Sequence, residues 1–435
     1  MPNRANEERG AWLLADNVKH AFAATLGLLV LFAGWSPAYA GGPPGPLLQK
    51  GQDPVEWWFV FKFNANKFSG CGGPARQCIF GGDVQDYSHF GQQYVYASKG
   101  KALKKGVSGC IGDNTKDPVA ATFEQVYNGS YFFVLWNDQF YKDPEIPSCT
   151  TFCDSPWAHS KGMLAWDDSG AGFVMQVSTP NWPGAGSKTA PRQNNGNTLG
   201  CLTSDGEIPQ NNVLVSQHFF ALQLTKDDVV KVLGALKHAG VVTVHSQDAD
   251  DRDQVINNGG PDDIRQLVDE LGEKPKTTSF LKETLSTGVQ VIAKSAKMAV
   301  PPWQMVSAVL GGVSLRVATW YSANKIPDTD GHSTPGCWDS SLGQPGAVTN
   351  ADKGHWGKKE FGLFGGSGTN PDRNHAKVGV SKTGHLVIFG DMNQEGTLTP
   401  KCAVRQNKRG GLFFVVEDSV VAPSVRNLLK PLPPQ

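Results

Sequence analysis

Excess charge of either sign is missing from this sequence: 40 lysines and arginines meet 40 aspartates and glutamates, for a formal net charge of zero. A nonspecific nucleic-acid binder is often basic overall, so the balance lends that role no support, although it leaves room for a local cationic cleft. Long apolar runs are also missing. The one apolar stretch, residues 21–35, is short for a membrane span, and nothing later resembles one. Metal-binding patterns fail in turn. Cys149-x-x-x-Cys153 has no His/Cys pair at matching spacing to complete a zinc site. The acidic loop bearing Asp248, Asp250, Asp251 and Asp253 lacks the glycine and bidentate glutamate of an EF-hand, and reads as solvated. No carboxylate cluster of the two-metal kind is present.

What is there begins with an address. Arg4, Arg9 and Lys19 precede the apolar stretch, which ends at Ala38-Tyr39-Ala40, the small-x-small pattern of a cleavage site. Residues 1–40 therefore read as a signal peptide, with the mature chain expected to begin near Gly41. The expected location is secreted or periplasmic, or lysosomal in a eukaryotic source, with no membrane association after cleavage. The eight cysteines are Cys71, Cys78, Cys110, Cys149, Cys153, Cys201, Cys337 and Cys402. An even count in an exported chain favours disulfides, whose connectivity the sequence leaves open.

Strand signals fall at residues 56–63, a run of aromatics, and at 94–97, 130–136, 216–224, 288–293, 313–320 and 412–416. Helix signals fall at residues 225–240, with Thr225 as N-cap and Gly240 as stop, and at 261–271, 302–310 and 421–429. The segment 327–373 is rich in Gly, Asp and Ser, has little periodicity, and reads as a functional loop. Strands and helices alternate loosely, with hairpins inserted. The fold class expected is α/β: residues 41–225 and 226–435 form two halves, each a mixed sheet with helices packed on it, a pseudo-duplicated sandwich in one compact unit.

The chemistry is concentrated in a repeated pair, Ala158-His159-Ser160-Lys161-Gly162 and Asn374-His375-Ala376-Lys377-Val378. Residues two apart in an extended segment point to the same side, so each His-x-Lys presents an imidazole and an ammonium together. Each opens a hairpin. The first runs through residues 163–166, turns at 167–172 and resumes at 173–178; the second runs through 378–380, turns at 381–384 and resumes at 386–390. One such motif is weak; two with matching hairpins outweigh the bland alternative of surface strands with incidental histidines.

Two histidines facing across a cleft, each flanked by a lysine, suit phosphoryl transfer at a diester. One neutral imidazole attacks phosphorus; the other, protonated, donates to the leaving oxygen and then activates water. The lysines stabilise the transition-state charge, so no divalent cation or other cofactor is called for. One histidine must be neutral while its partner is charged, which predicts a bell-shaped pH profile.

These motifs, followed by Ser178-Thr179-Pro180 and by Gly390-Asp391-Met392-Asn393, resemble those of deoxyribonuclease II. Further matches agree in order: Val55-Glu56-Trp57-Trp58, Trp136-Asn137-Asp138, Ala293-Lys294-Ser295 and Thr319-Trp320. The resemblance covers nearly all of the mature chain. It implies a phospholipase D-like fold of pseudo-duplicated mixed β-sheets flanked by helices, and metal-independent cleavage of DNA at acid pH to 3′-phosphate ends through a phosphohistidine. The implied partner is double-stranded DNA read with little sequence preference, and a homodimer is left open. By this resemblance His159, Lys161, His375 and Lys377 are catalytic, with His159 assigned as nucleophile and His375 as acid. Ser178, Thr179, Lys294, Trp320, Asp391 and Asn393 are expected to contact substrate. Asp391 stands where the phospholipase D superfamily has Ser in a Gly-Ser-x-Asn element. Trp166 and Lys382 stand where that superfamily has Asp, which argues against a lipase. Gln176 and Asn181 replace histidines common in the family, which predicts a slower enzyme or a shifted pH optimum if those histidines assist. Two other functions fit the same motifs: a phosphodiesterase acting on phospholipid, and a non-catalytic module holding phosphate or DNA.

Overall fold

The computed structural model describes residues 42–64, 66–68, 93–106, 111–112, 116–127, 129–139, 153–180, 215–243, 255–365 and 372–433, with the backbone of 76–77 and 83–84. The leader, the acidic loop at 248–253, Asn181 and five of the cysteines lie outside them. The strands in chain order are β1 Trp57–Lys62, β2 Arg76–Gln77, β3 Asp83–Val84, β4 Tyr94–Ser98, β5 Lys101–Lys105, β6 Phe132–Asn137, β7 Lys161–Trp166, β8 Gly172–Val177, β9 Gln217–Leu224, β10 Ile256–Asn257, β11 Phe280–Thr284, β12 Gln290–Lys294, β13 Leu315–Ala318, β14 Val348–Asn350, β15 Lys353–Trp356, β16 Lys359–Gly362, β17 Val378–Ser381, β18 Leu386–Gly390 and β19 Gly411–Glu417. The helices are α1 Pro118–Tyr127, α2 Lys226–Ala239, α3 Asp262–Asp269, α4 Pro302–Val309 and α5 Val421–Leu428. Pro43–Gln435 forms one compact unit.

The long strands are apolar on both faces because both faces are covered. Along β1, Trp57, Phe59 and Phe61 point to one core while Trp58 and Val60 point to another. In β19, Leu412, Phe414 and Val416 join the first core and Phe413 and Val415 a third. The first core is shared by the two large sheets; Phe389 of β18 lies 4.6 Å from Phe59 and 4.5 Å from Phe220 between ring centroids. Helices α2 and α5 touch strands of both sheets. On the outer faces lie α1, through Val119, Phe123 and Val126, and α4, through Trp303, Met305 and Val306. The class is mixed α/β, as expected.

An eight-stranded sheet has the order β10-β6-β7-β8-β9-β1-β4-β5, and a seven-stranded sheet the order β11-β12-β19-β18-β17-β13-β14. The runs β6-β7-β8-β9-β1 and β13-β17-β18-β19-β12 are antiparallel throughout. In each, the hairpin that follows a His-x-Lys fills the second and third places, and the next strand in sequence fills the fourth.

Several local readings meet their structure. Thr225 caps α2 in a capping box with Asp228, and Gly240 ends it at φ 75°, a left-handed position that glycine tolerates. Others need correction. The segment 327–373 holds β14, paired in parallel with β13, and the hairpin β15–β16. Lys353-Gly354-His355-Trp356 and Lys359-Glu360-Phe361-Gly362 carry too few apolar residues to show a period of two. Helix α1 also escapes the sequence reading; Asp117 caps it, with Oδ1 accepting from the N–H groups of Val119 at 3.1 Å and Ala120 at 2.9 Å. Strand β5 buries only Leu103, its lysines facing solvent as befits a sheet edge. Cys337 and Cys402 form a disulfide, and Cys153 is disulfide-bonded as well.

Candidate active site

Each His-x-Lys lies at the entrance to its hairpin, and each histidine is held by backbone from the other sheet. His159 donates its N–H to the carbonyl of Gly410, just before β19, and His375 donates its N–H to the carbonyl of Ser216, just before β9, both at 2.8 Å. Asn374 fixes the second motif by accepting from Ala376 N–H and donating to Ala376 C=O, each at 3.0 Å.

The first lysine is built into a buried ion network. Lys161 opens β7 opposite Asn137, and its ammonium meets Asp138 at the end of β6. Arg409 supplies a second cation to Asp138 at 2.9 Å and also donates to the carbonyl of Ala158 at 2.9 Å. Gly162 lets Trp136 close on this strand; a Cβ there would lie 2.5 Å from the indole. Trp136 donates to Ser160 Oγ at 2.8 Å. Burial pushes Asp138 up, but Lys161, His159 and Arg409 outweigh it and hold the carboxyl well below its usual range.

The second lysine is different. Lys377 is 3% exposed, and its ammonium makes no hydrogen bond to a described residue. Its backbone N–H donates to His218 Nδ1 at 3.0 Å. Burial, then Lys161, pull the ammonium down to about 7, against the pull of Asp138 and Asp391.

The two motifs share one electrostatic environment. His159 is held well below its usual pKa by burial, Lys161, Lys377 and Arg409, with Asp138 opposing. His375 is likewise held well below by burial, Lys377, Lys161, Lys62 and Arg373. Each imidazole thus feels the other motif's lysine. A hydrogen bond also links them: His159 Nδ1 lies 2.7 Å from the carbonyl oxygen of Asp391, the residue after β18. A carbonyl only accepts, so Nδ1 carries the proton and Nε2 keeps its lone pair. His375 Nδ1 is buried with no hydrogen-bond partner among the described residues.

The remaining expected site residues divide. Asp391 is buried; its carboxylate accepts from Gln176 Nε2 and from Leu412 N–H, both at 2.9 Å. Burial pushes it up to about 7, against Ser160, Leu412, Lys161 and Gln176. Ser178 Oγ donates to Gln217 at 2.6 Å and accepts from His218 N–H at 2.8 Å. Thr179 Oγ1 and Asn393 Oδ1 are buried without hydrogen-bond partners among the described residues, and Trp320 is half-buried. Lys294, also expected to contact substrate, is engaged within the protein. It is 0% exposed, and its ammonium donates to the carbonyls of Asn407 and Arg409, both at 2.8 Å. Sequence reasoning gave no role to Asp138, quoted only within Trp136-Asn137-Asp138, nor to Arg409 or His218; nothing local marks them. Gln176 does not stand idle: it ties β8 to Asp391. Among the described residues, no three His, Cys, Asp or Glu side chains are grouped to hold a metal ion.

The mixed α/β scaffold thus holds two imidazole–ammonium pairs whose charges act on one another. The family model for deoxyribonuclease II matches residues 48–434, nearly the whole chain, and the chain belongs to that family. It is an endodeoxyribonuclease, with DNA as its substrate. Comparison with curated proteins finds no significant match.

Proposed function

We propose that this enzyme hydrolyses DNA without a metal ion, at acid pH, to 3′-phosphate ends through a phosphohistidine on His159. The observation that carries the assignment is the 2.7 Å contact from His159 Nδ1 to the Asp391 carbonyl, which leaves Nε2 as the free nucleophilic nitrogen. Nε2 attacks phosphorus, the bond from phosphorus to the 5′-oxygen breaks, and protonated His375 gives that oxygen its proton. Neutral His375 then takes a proton from water as the water oxygen attacks, and the P–N bond to His159 breaks. Lys377, whose ammonium has no hydrogen-bond partner among the described residues, holds a non-bridging oxygen; Lys161, anchored by Asp138, adds its field.

Acid pH follows from the charges. Both histidines are held well below their usual range, so His375 gains its proton only in acid, and Lys377 is charged below about 7. Support for a phospholipase D-like duplication, divided at residues 41–225 and 226–435, comes from the matching order of the two five-strand runs. The reading includes export by the leader, double-stranded substrate, and no membrane or cofactor requirement; a homodimer fits it equally with a monomer. Plasmid nicking in excess chelator across pH 4 to 8 tests the proposal. Cleavage that persists, peaks in acid and leaves ends needing phosphatase before 3′ extension is expected; loss of cleavage on adding chelator contradicts it.

A further inference from the structure

Two wholly buried lysines take no part in the chemistry above, and they occupy matching places. Lys62 is the last residue of β1 and Lys294 the last of β12. In register they stand opposite the first residues of β9 and β19, Gln217 and Gly411. Each ammonium reaches past that neighbour to the backbone just before the strand. Lys62 Nζ donates to the carbonyl of Val215 at 2.7 Å, and Lys294 Nζ to those of Asn407 and Arg409 at 2.8 Å. The next residue in each segment is the acceptor of a motif histidine: Ser216 takes His375 N–H, and Gly410 takes His159 N–H. The same chain of contacts, from lysine to strand entrance to histidine, therefore occurs twice, and each crosses from one sheet to the other.

Satisfying a carbonyl does not require a lysine. Burial pulls both ammoniums down to about 7, a penalty that a serine, a glutamine or a buried water would avoid. Carbonyl satisfaction alone does not account for one residue type at one register position in both sheets, aimed each time beside a histidine's acceptor. We propose that Lys62 and Lys294 are positioning residues that set the separation of the two imidazoles, Lys62 acting on His375 through Val215 and Ser216, and Lys294 acting on His159 through Arg409 and Gly410. The inference rests on the two-histidine reading above. Neither ammonium contacts DNA.

The two positions leave different signatures. Lys62 joins Lys377, Lys161 and Arg373 among the cations that depress His375, whereas Lys294 braces backbone on the His159 side. The test uses the full chain with Lys62→Met and Lys294→Met, each alongside its arginine counterpart, which keeps donors in place. Melting curves establish folding before kinetics. Both methionine variants are expected to lose about 10²-fold in kcat, the scale of a roughly 1 Å misplacement, with KM for plasmid unchanged and partial recovery in arginine. A methionine variant that does not fold passes the test to its arginine counterpart, which must then show the kcat loss at unchanged KM. Independently of turnover, NMR titration of the His375 ring is expected to move to higher pH in the Lys62 variant and to stay fixed in the Lys294 variant. Folded variants with unchanged kcat, a loss carried by KM, or a His375 titration unmoved by the Lys62 change would each overturn the proposal. If the wild type cuts no DNA, the nuclease reading fails, and the titration still decides the brace.

Discussion

Asp138→Asn removes one charge from the buried ion network beside the first motif and leaves the shape of the side chain almost intact. In the wild type this carboxylate is 1% exposed and is the counter-charge for Lys161 and Arg409, whose side chains are 3% and 6% exposed. The amide leaves those two cations facing each other in a medium that solvates neither. Removing one partner of a buried pair costs about 3–5 kcal/mol, against about 0–1 kcal/mol for a pair in solvent. The pH dependence has a definite sign. Asp138 titrates well below the ordinary value of 3.8, so its stabilisation is present above that value and is lost as pH falls through the folded pKa. Wild-type stability should therefore fall on acidification below about 4, and the variant should lack that part of the slope. Asp138 also opposes the cations around His159, so its removal drives that imidazole lower still. Urea melts of both proteins at pH 7 and on the acid side measure these effects. A loss under about 1 kcal/mol at pH 7 would refute the view of this network as buried and mutually compensating.

Other perturbations separate the roles of neighbouring groups. Lys377→Met should weaken transition-state binding by about 10- to 100-fold, the value of a hydrogen bond to a charged group, and should remove any rise in wild-type KM as pH passes about 7. Asp391 is pushed up to about 7, so its stabilisation is full below 3.8 and is lost as pH rises through about 7; melts should show Asp391→Asn gaining up to about 4 kcal/mol on the wild type above that range, and parallel pH slopes would contradict this. Replacing Cys337 and Cys402 by serine opens a crosslink spanning 65 residues and should cost about 4 kcal/mol by loop entropy, read from denaturant midpoints.

The parts of this molecule legible in sequence are those whose signal is local. Strands β1, β9 and β19 announce themselves as apolar runs because each is buried on both faces. The motif hairpins are bounded by Asp167 to Gly172 and Ser381 to Gly384, and α2 by Thr225 and Gly240. The elements that escaped have their apolar residues diluted by lysine, as in β5, or by glycine and charge, as in β15 and β16. The candidate site is legible in its repeated motif but not in its supports. Asp138 and Arg409 meet across 271 residues, and Gln176 and Asp391 across 215. Lys294 shows the limit most clearly: the family resemblance picks it out, and only the fold reveals that its ammonium reaches the carbonyls of Asn407 and Arg409.

The central claim is that both histidines work on one phosphorus, His159 as nucleophile and His375 as proton donor and then base. It is tested most directly with His375→Ala and thymidine 3′-(p-nitrophenyl phosphate), whose leaving group departs without a proton. Attack by His159 should then proceed while hydrolysis of the adduct stalls. The account predicts a burst of one p-nitrophenolate per active site and a nucleotide adduct mapped to His159 under alkaline quench. A folded variant that gives no burst, or an adduct on any other residue, would contradict it.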